Sequence, residues 1–261
     1  MSDVKQISEE EQKRIQLDIL SDVAGFCERN NLRYFLAYGT LIGAVRHQGY
    51  IPWDDDVDII MPRPDYDIFI DTYNHTSGNY QVYCSKYNKK CFINFAKVHD
   101  VRTRYQEGYA VETEYGIFVD IFPFDGYHSR FQYSQCYYAS LLLRSKTSVW
   151  FTEKAFYKNL ISLFLKMMLL PISIRRILGF IEKKSRRIEY ESSTLVCFFT
   201  DIAEPIRKSI FDNYIYSLFE GKMYRIPKEY DQILRIQYGD YMELPPIEER
   251  ICKHYAKVWW K

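Results

Sequence analysis

Much is missing from this 261-residue chain, and each absence removes a class of function. There is no uninterrupted apolar run of the roughly 20 residues that a membrane-spanning helix needs. The opening MSDVKQISEEEQKR has neither the basic n-region nor the apolar h-region of a secretory signal, so the expected compartment is the cytoplasm, up to the inner face of the plasma membrane. Charge excess is missing too: 35 Lys and Arg nearly cancel 34 Asp and Glu, so no overall field draws the chain to nucleic acid, and no nucleic-acid partner is expected. Any polyanion must be gripped locally. The six cysteines form no CxxC pair or regular framework, which fits reduced thiols, and the five histidines do not cluster with them, which argues against a structural zinc site. No Gly-Lys-Ser/Thr follows a glycine-rich run, so a Walker loop is absent. Repeats and low-complexity tracts are lacking, and the 24 tyrosines, spread along the chain, read as half-buried packing rather than a base-stacking platform.

What is present has a clear punctuation. Ser8 followed by Glu11 is a capping-box signature, and Ile15, Ile19, Val23, Phe26 and Cys27 then recur at helical spacing, predicting a helix that ends near Asn30. RYFLAY reads as a buried strand, followed by Gly39-Thr40 and a short apolar turn or helix to Arg46; HQGYIPW is a loop by its Gly and Pro. A strand is expected from Asp56 to Met61, stopped by Pro62 and Pro64, and a helix from Asp65 to about Tyr73. YQVYCS, CFINFAKVH and GIFVDIF read as further strands. Arg130 to about Tyr190 is helical in pattern and interrupted by Pro171, a hairpin is expected around Glu220-Gly221, and a last helix from Glu229 to Gln237. The expected class is α+β: a small mixed sheet flanked by helices, with a largely helical second half.

The chemistry concentrates in WDDDVDII, where Asp54, Asp55, Asp56 and Asp58 precede an apolar run. Side chains alternate along a strand, so Asp56 and Asp58 share one face while Val57 and Ile59 take the other. Asp54 joins that face if the strand starts earlier; Asp55 points away. Two carboxylates spaced this way repel unless a cation lies between them, and hard oxygen ligands suit Mg2+ or Mn2+. The plain alternative is a solvated Asp-rich turn capping a strand. Against it stands Asp120 in IFVDIF, a lone charge between Val119 and Ile121 whose burial without a partner would cost several kcal/mol. A calcium-loop reading fails, because Ile59 stands where an EF-hand needs Gly. Gly39-Thr40 offers backbone N–H groups and a hydroxyl to a phosphate.

YFLAYGTLIGAVRHQGYIPWDDDVDIIMPRPDY closely resembles the signature of the LicD family, phosphocholine transferases of bacterial surface polysaccharides related to fukutin and fukutin-related protein. VDIFPFDG and YGDYMELPPIEER resemble that family's later motifs, in its order. The resemblance implies a nucleotidyltransferase-like catalytic core over residues 1–126, a helical region over 127–212, and a C-terminal segment over 213–261 that packs back on the core. It also implies a site: Gly39 and Thr40 as the glycine and small hydroxyl residue, then Asp56, Asp58 and Asp120 as metal ligands and catalytic residues, with Asp120 the candidate base or acceptor-orienting group. The implied reaction is transfer of phosphocholine from CDP-choline to a glycan hydroxyl with release of CMP. The acceptor would be a precursor, lipid-linked in some relatives, of teichoic acid, capsule or lipopolysaccharide. Ribitol, glycerol or ethanolamine phosphate from its CDP derivative is the alternative donor, and a non-catalytic assembly protein the alternative class. Two departures stand out: Tyr38 occupies the place of a second glycine in many relatives, and the tail reads CKHYAK in place of a more histidine-rich ending, so His254 is given no role.

Around this site, Arg46, Lys97 and Arg104 are candidates for the phosphates and Trp53 for stacking or walling, against the bland readings of surface charges and a core plug. His47 reads as a loop residue rather than a base. Phe156 to Phe180 is apolar with interspersed basic residues. It is either a core helix pair or an interfacial helix in peripheral contact with the membrane.

Overall fold

Helix α1, Glu9–Arg29, opens as its capping signature predicts, the Ser8 hydroxyl accepting from the Glu11 N–H at 3.2 Å. Its apolar stripe, including Ile15, Ile19, Val23 and Cys27, is buried against the central sheet. The computed structural model describes residues 5–75, 78–106, 111–147, 171–199, 204–251 and 256–261. Most of the apolar segment read from Phe156 onward, and His254, lie outside the described residues.

The sheet runs in the order β1 (Phe35–Leu36), β2 (Asp58–Pro62), β6 (Phe118–Gly126), β4 (Ala96–Asp100), β3 (Tyr80–Tyr83). β2 and β6 pair in parallel and the other pairs along this order are antiparallel, so the sheet is mixed and the class is α+β. A parallel pair needs a crossover connection, and α3 (Arg63–Thr72), β3, β4 and β5 (Thr103–Gln106) lie within it. All nine residues of β6 are buried, as expected of the sheet's middle strand. Alternation sorts its neighbours: Ile59, Ile121 and Ala96 face the core under α1, while Ile60, Phe122 and Phe124 face a second core with Tyr190, Phe198 and Phe211.

At the far end of β6, β7 (Leu195–Cys197) and β8 (Ile206–Arg207) continue the sheet. α4 (Arg130–Thr147) and α5 (Ile174–Ser185) pack on each other through Ala139, Leu143, Ile177, Leu178 and Ile181. The described end of the Phe156–Phe180 stretch thus contributes core residues. β9 (Tyr214–Phe219) and β10 (Lys222–Pro227) form the expected hairpin, with Glu220 and Gly221 both at positive φ, the pair of conformations that a tight two-residue turn demands. α6, Tyr230–Tyr238, buries Ile233 and Leu234, and β11, Lys257–Trp260, pairs with β5. Among the described residues no helix is long and apolar enough to cross a membrane.

Several boundaries differ from the sequence reading. The strand in RYFLAY is only Phe35–Leu36, because Tyr38 turns into the left-handed region (φ 47°) and starts a helix. CFINFAKVH is extended in the sheet only from Ala96. The second half holds more strand than its pattern suggests, since β7 to β11 lie there; β7 and β8 are too short for a period to show.

Candidate active site

β2 and β6 pair with Asp58 opposite Asp120, and β4 and β6 pair with Lys97 opposite Asp120. Residues in register on neighbouring strands project to the same face about 5 Å apart. The sheet therefore carries a row of carboxylate, carboxylate and ammonium. Lys97 Nζ donates to Asp120 Oδ1 at 2.7 Å, and lies 3.3 Å from the Phe118 ring centroid and 5.3 Å from those of Phe95 and Tyr115. Lys97 is 5% exposed. Its ammonium is enclosed by rings and engaged with Asp120, so it does not reach out as the phosphate ligand it was expected to be. Its place is behind Asp120, as that carboxylate's counter-ion.

The strand begins at Asp58, later than expected, so Asp56 belongs to the preceding loop; even so, Asp54, Asp56, Asp58 and Asp120 all line one cleft of about 830 Å3. Asp55 is buried outside that lining, its carbonyl accepting from Gln16 Nε2 at 2.9 Å. Like charges held this close disfavour ionisation. Burial, then Asp56, Asp120 and Asp54, push the Asp58 carboxyl well above the usual range, with Lys97 opposing; burial and Asp56 push Asp54 up to about 7.

Gly39 and Thr40 take different roles from the phosphate turn expected of them. Both lie in α2, Tyr38–Ile42, which continues as a π-helical turn, Gly43–His47. Thr40 is buried, and its hydroxyl accepts from the Asp58 N–H at 2.9 Å, anchoring the start of β2 and leaving Thr40 off the cleft. Gly39 does line the cleft, and a Cβ there would stand 2.4 Å from Asp54 Oδ2, so any larger residue would push that carboxylate from its present place. Tyr38 adopts the positive φ that glycine accepts most readily, and its ring meets Phe122 edge-on at 5.2 Å.

The C-terminal segment supplies the rest of the lining through Tyr238, Asp240, Tyr241, Glu243, Pro246 and Glu249. Arg46 binds it, Nη1 donating to the carbonyls of Tyr241 and Glu243. Burial and nearby Arg250 lower the Arg46 pKa. Trp53 also lines the cleft, with the Arg250 guanidinium 5.5 Å from its ring and His47 edge-on at 6.5 Å. Arg104 lies elsewhere: on β5, paired with Glu112 and next to Trp259, it is outside the lining. Its strand pairs with β11 rather than with the strands bearing the aspartates. The residues that sequence reasoning left without a role are those of YGDYMELPPIEER and Asp54; the motif itself was the available signal for the former.

Among the described residues no three His, Cys, Asp or Glu side chains are gathered into a ready-made metal cage. The donor chemistry nonetheless fits a hard divalent cation: carboxylates share one lining, and their mutual repulsion is what such a charge relieves.

The family profile described as LicD/FKTN/FKRP, nucleotidyltransferase domain, matches residues 31–172, and lipopolysaccharide cholinephosphotransferase LicD of Haemophilus influenzae is 30% identical over 98% of this chain and 99% of its own length. The chain belongs to the LicD family. Uncharacterized proteins of Rickettsia typhi and Rickettsia prowazekii share shorter stretches, 44% identical over 63 residues (24% of this chain, 20% of that protein) and 47% identical over 47 residues (18% of each). The matched LicD region contains Gly39 and all four cleft aspartates of β2, β6 and the loop before β2, whereas the C-terminal lining falls beyond residue 172.

Proposed function

We propose that this LicD family protein transfers phosphocholine from CDP-choline to a hydroxyl of a cell-surface glycan precursor, releasing CMP. The observation that carries the reading is the parallel register placing Asp58 beside Asp120 in a cleft shared with Asp54 and Asp56, within a chain aligned almost end to end with a lipopolysaccharide cholinephosphotransferase. By analogy with that relative, a lipopolysaccharide precursor is the first acceptor to test.

Asp56, Asp58 and Asp120 would hold Mg2+ or Mn2+, which when bound supplies positive charge against the pyrophosphate and the CMP leaving group. Asp120 is the residue assigned to orient the acceptor hydroxyl and take its proton, with Lys97 fixing the carboxylate from behind. Gly39 lets the Asp54 carboxylate sit against the backbone in the lining, and Trp53 with the C-terminal segment walls the nucleotide from water. Arg46 holds that wall and lines the cleft where it can meet a phosphate.

The test is a label. With CDP-choline labelled at the choline-side phosphorus, the label is expected on the glycan and unlabelled CMP in solution. Label in free phosphocholine, with CMP on the acceptor, would make the protein a nucleotidyltransferase instead.

A further inference from the structure

The helices α4 and α5 carry charge and apolar surface that the cleft does not use. Seven of their side chains are basic, Arg130, Arg144 and Lys146 on α4 and Arg175, Arg176, Lys183 and Lys184 on α5, against one acid, Glu182, in a chain whose totals are 35 and 34. The one acid is itself paired with Arg186. The molecule is close to neutral, yet this helix pair is strongly cationic.

The apolar surface is equally uneven. Phe131, Tyr138 and Leu142 are separated by seven and four residues and so share one side of α4. All three are exposed, Phe131 at 66% and Tyr138 at 64%, with Leu141 exposed beside them. Another side of the helix is already satisfied, since Ala139 and Leu143 pack on Ile177, Leu178 and Ile181 of α5. A helix that keeps a second apolar stripe after packing its first has surface to spare for something else. On α5, Phe180 is exposed too, with the Lys184 ammonium 5.4 Å from its ring.

Charge selects the occupant. Exposed aromatic and leucine side chains on a helix with Arg130 beside Phe131 in the chain and no acid at all, packed on a helix with four Arg and Lys residues, match an interface whose outer layer is anionic and whose next layer is hydrocarbon. We propose that α4 and α5 form a docking surface for an anionic phospholipid bilayer, Phe131, Tyr138 and Leu142 entering the interfacial layer while Arg130, Arg175, Arg176 and Lys183 meet the headgroups. The helices lie on the membrane rather than cross it. This surface is separate from the transfer reaction and stands or falls without it.

The experiment is co-sedimentation of the full chain with vesicles of phosphatidylcholine alone or mixed equally with phosphatidylglycerol. Binding is expected only to the mixed vesicles and is expected to weaken at least tenfold between low and physiological salt. Phe131→Ser/Tyr138→Ser/Leu142→Ser and, separately, Arg175→Glu/Arg176→Glu/Lys183→Glu should each lower the binding at least tenfold, with the thermal melt and CMP release from CDP-choline unchanged. Absence of binding by the unaltered protein, equal binding to both vesicle types, or full binding by either triple variant overturns the proposal. So does a dimer that the serine variant dissolves when no vesicle binding is seen, since the face would then belong to a second copy.

Discussion

Asp58 and Asp120 stand side by side because β2 and β6 pair in parallel, whereas Tyr241 and Glu243, lining the same cleft, are tied to Arg46 through their carbonyls. The Asp58–Asp120 pair is set by strand register, which places side chains to within a residue whatever those side chains are, and Asp54 and Asp56 follow in the loop that leads into β2. The C-terminal side is held by Tyr241, buried in the main core, and by a few polar anchors: Arg46, the Arg250 bond to the Pro245 carbonyl at 2.9 Å, and the Tyr241 hydroxyl bond to Asp231 at 2.9 Å. Chemistry that needs fixed charge is built on the sheet, and the surface that must admit and release a substrate is built from loops.

That contrast is breakable. Lys97→Met leaves Asp120 buried beside Asp58 without its counter-ion, and losing one member of a buried pair costs on the order of 3–5 kcal/mol. Urea unfolding should show that loss, with turnover falling as well; a change under about 1 kcal/mol would mean that the row is not an electrostatic unit.

The sheet also predicts a pH limit. Burial, followed by the Lys261 charge, lowers the pKa of His99 on β4 to about 4, while the unfolded chain protonates it near 6.5. The unfolded state thus binds the proton first, and stability present above pH 6.5 is lost as pH falls towards 4, by about 3 kcal/mol in total. The elevated carboxyls of Asp54 and Asp58 act in the opposite sense, so the useful quantity is the difference from His99→Gln, whose unfolding should lose this part of the acid dependence. Parallel pH curves for the two proteins would contradict it.

Thr40→Val tests the anchor at the start of β2. It orphans the buried Asp58 N–H, worth about 2 kcal/mol in a urea titration. An unchanged midpoint would show that the strand start needs no such tie.

The C-terminal side should respond the other way. Arg46→Met is expected to change stability by about 1 kcal/mol or less but to lower kcat/KM at least tenfold, about 1.4 kcal/mol in the barrier. A melt depressed as far as that of Lys97→Met, with unaltered kinetics, would make the segment part of the fold rather than of the site.

These differences also explain what could be read in the sequence. Ser8 and Glu11 announced α1, and the turn pair Glu220-Gly221 announced its hairpin, because capping and turn chemistry are local. Asp58 and Asp120 were recognisable as strand carboxylates with the same apolar flanks. Their adjacency, and Lys97 as the third member of the row, depended on pairing strands about 20 to 60 residues apart, which no local period encodes. Lys97 and Arg104 looked alike as stray basic residues near the motif; only the sheet order separates the one behind Asp120 from the one on β5. The hydroxyl of Thr40, directly after a glycine, suggests a phosphate ligand, whereas its use, on the Asp58 backbone, is tertiary.

The most direct test of the acidic row is Asp58→Asn. The substitution keeps the shape and removes a charge that burial, Asp56, Asp120 and Asp54 all oppose, so the urea midpoint should equal or exceed that of the unaltered protein. CMP release from CDP-choline in the presence of Mg2+ should fall by about three orders of magnitude, ~4 kcal/mol in the barrier. A folded Asp58→Asn protein that turns over at a near-normal rate would contradict the account.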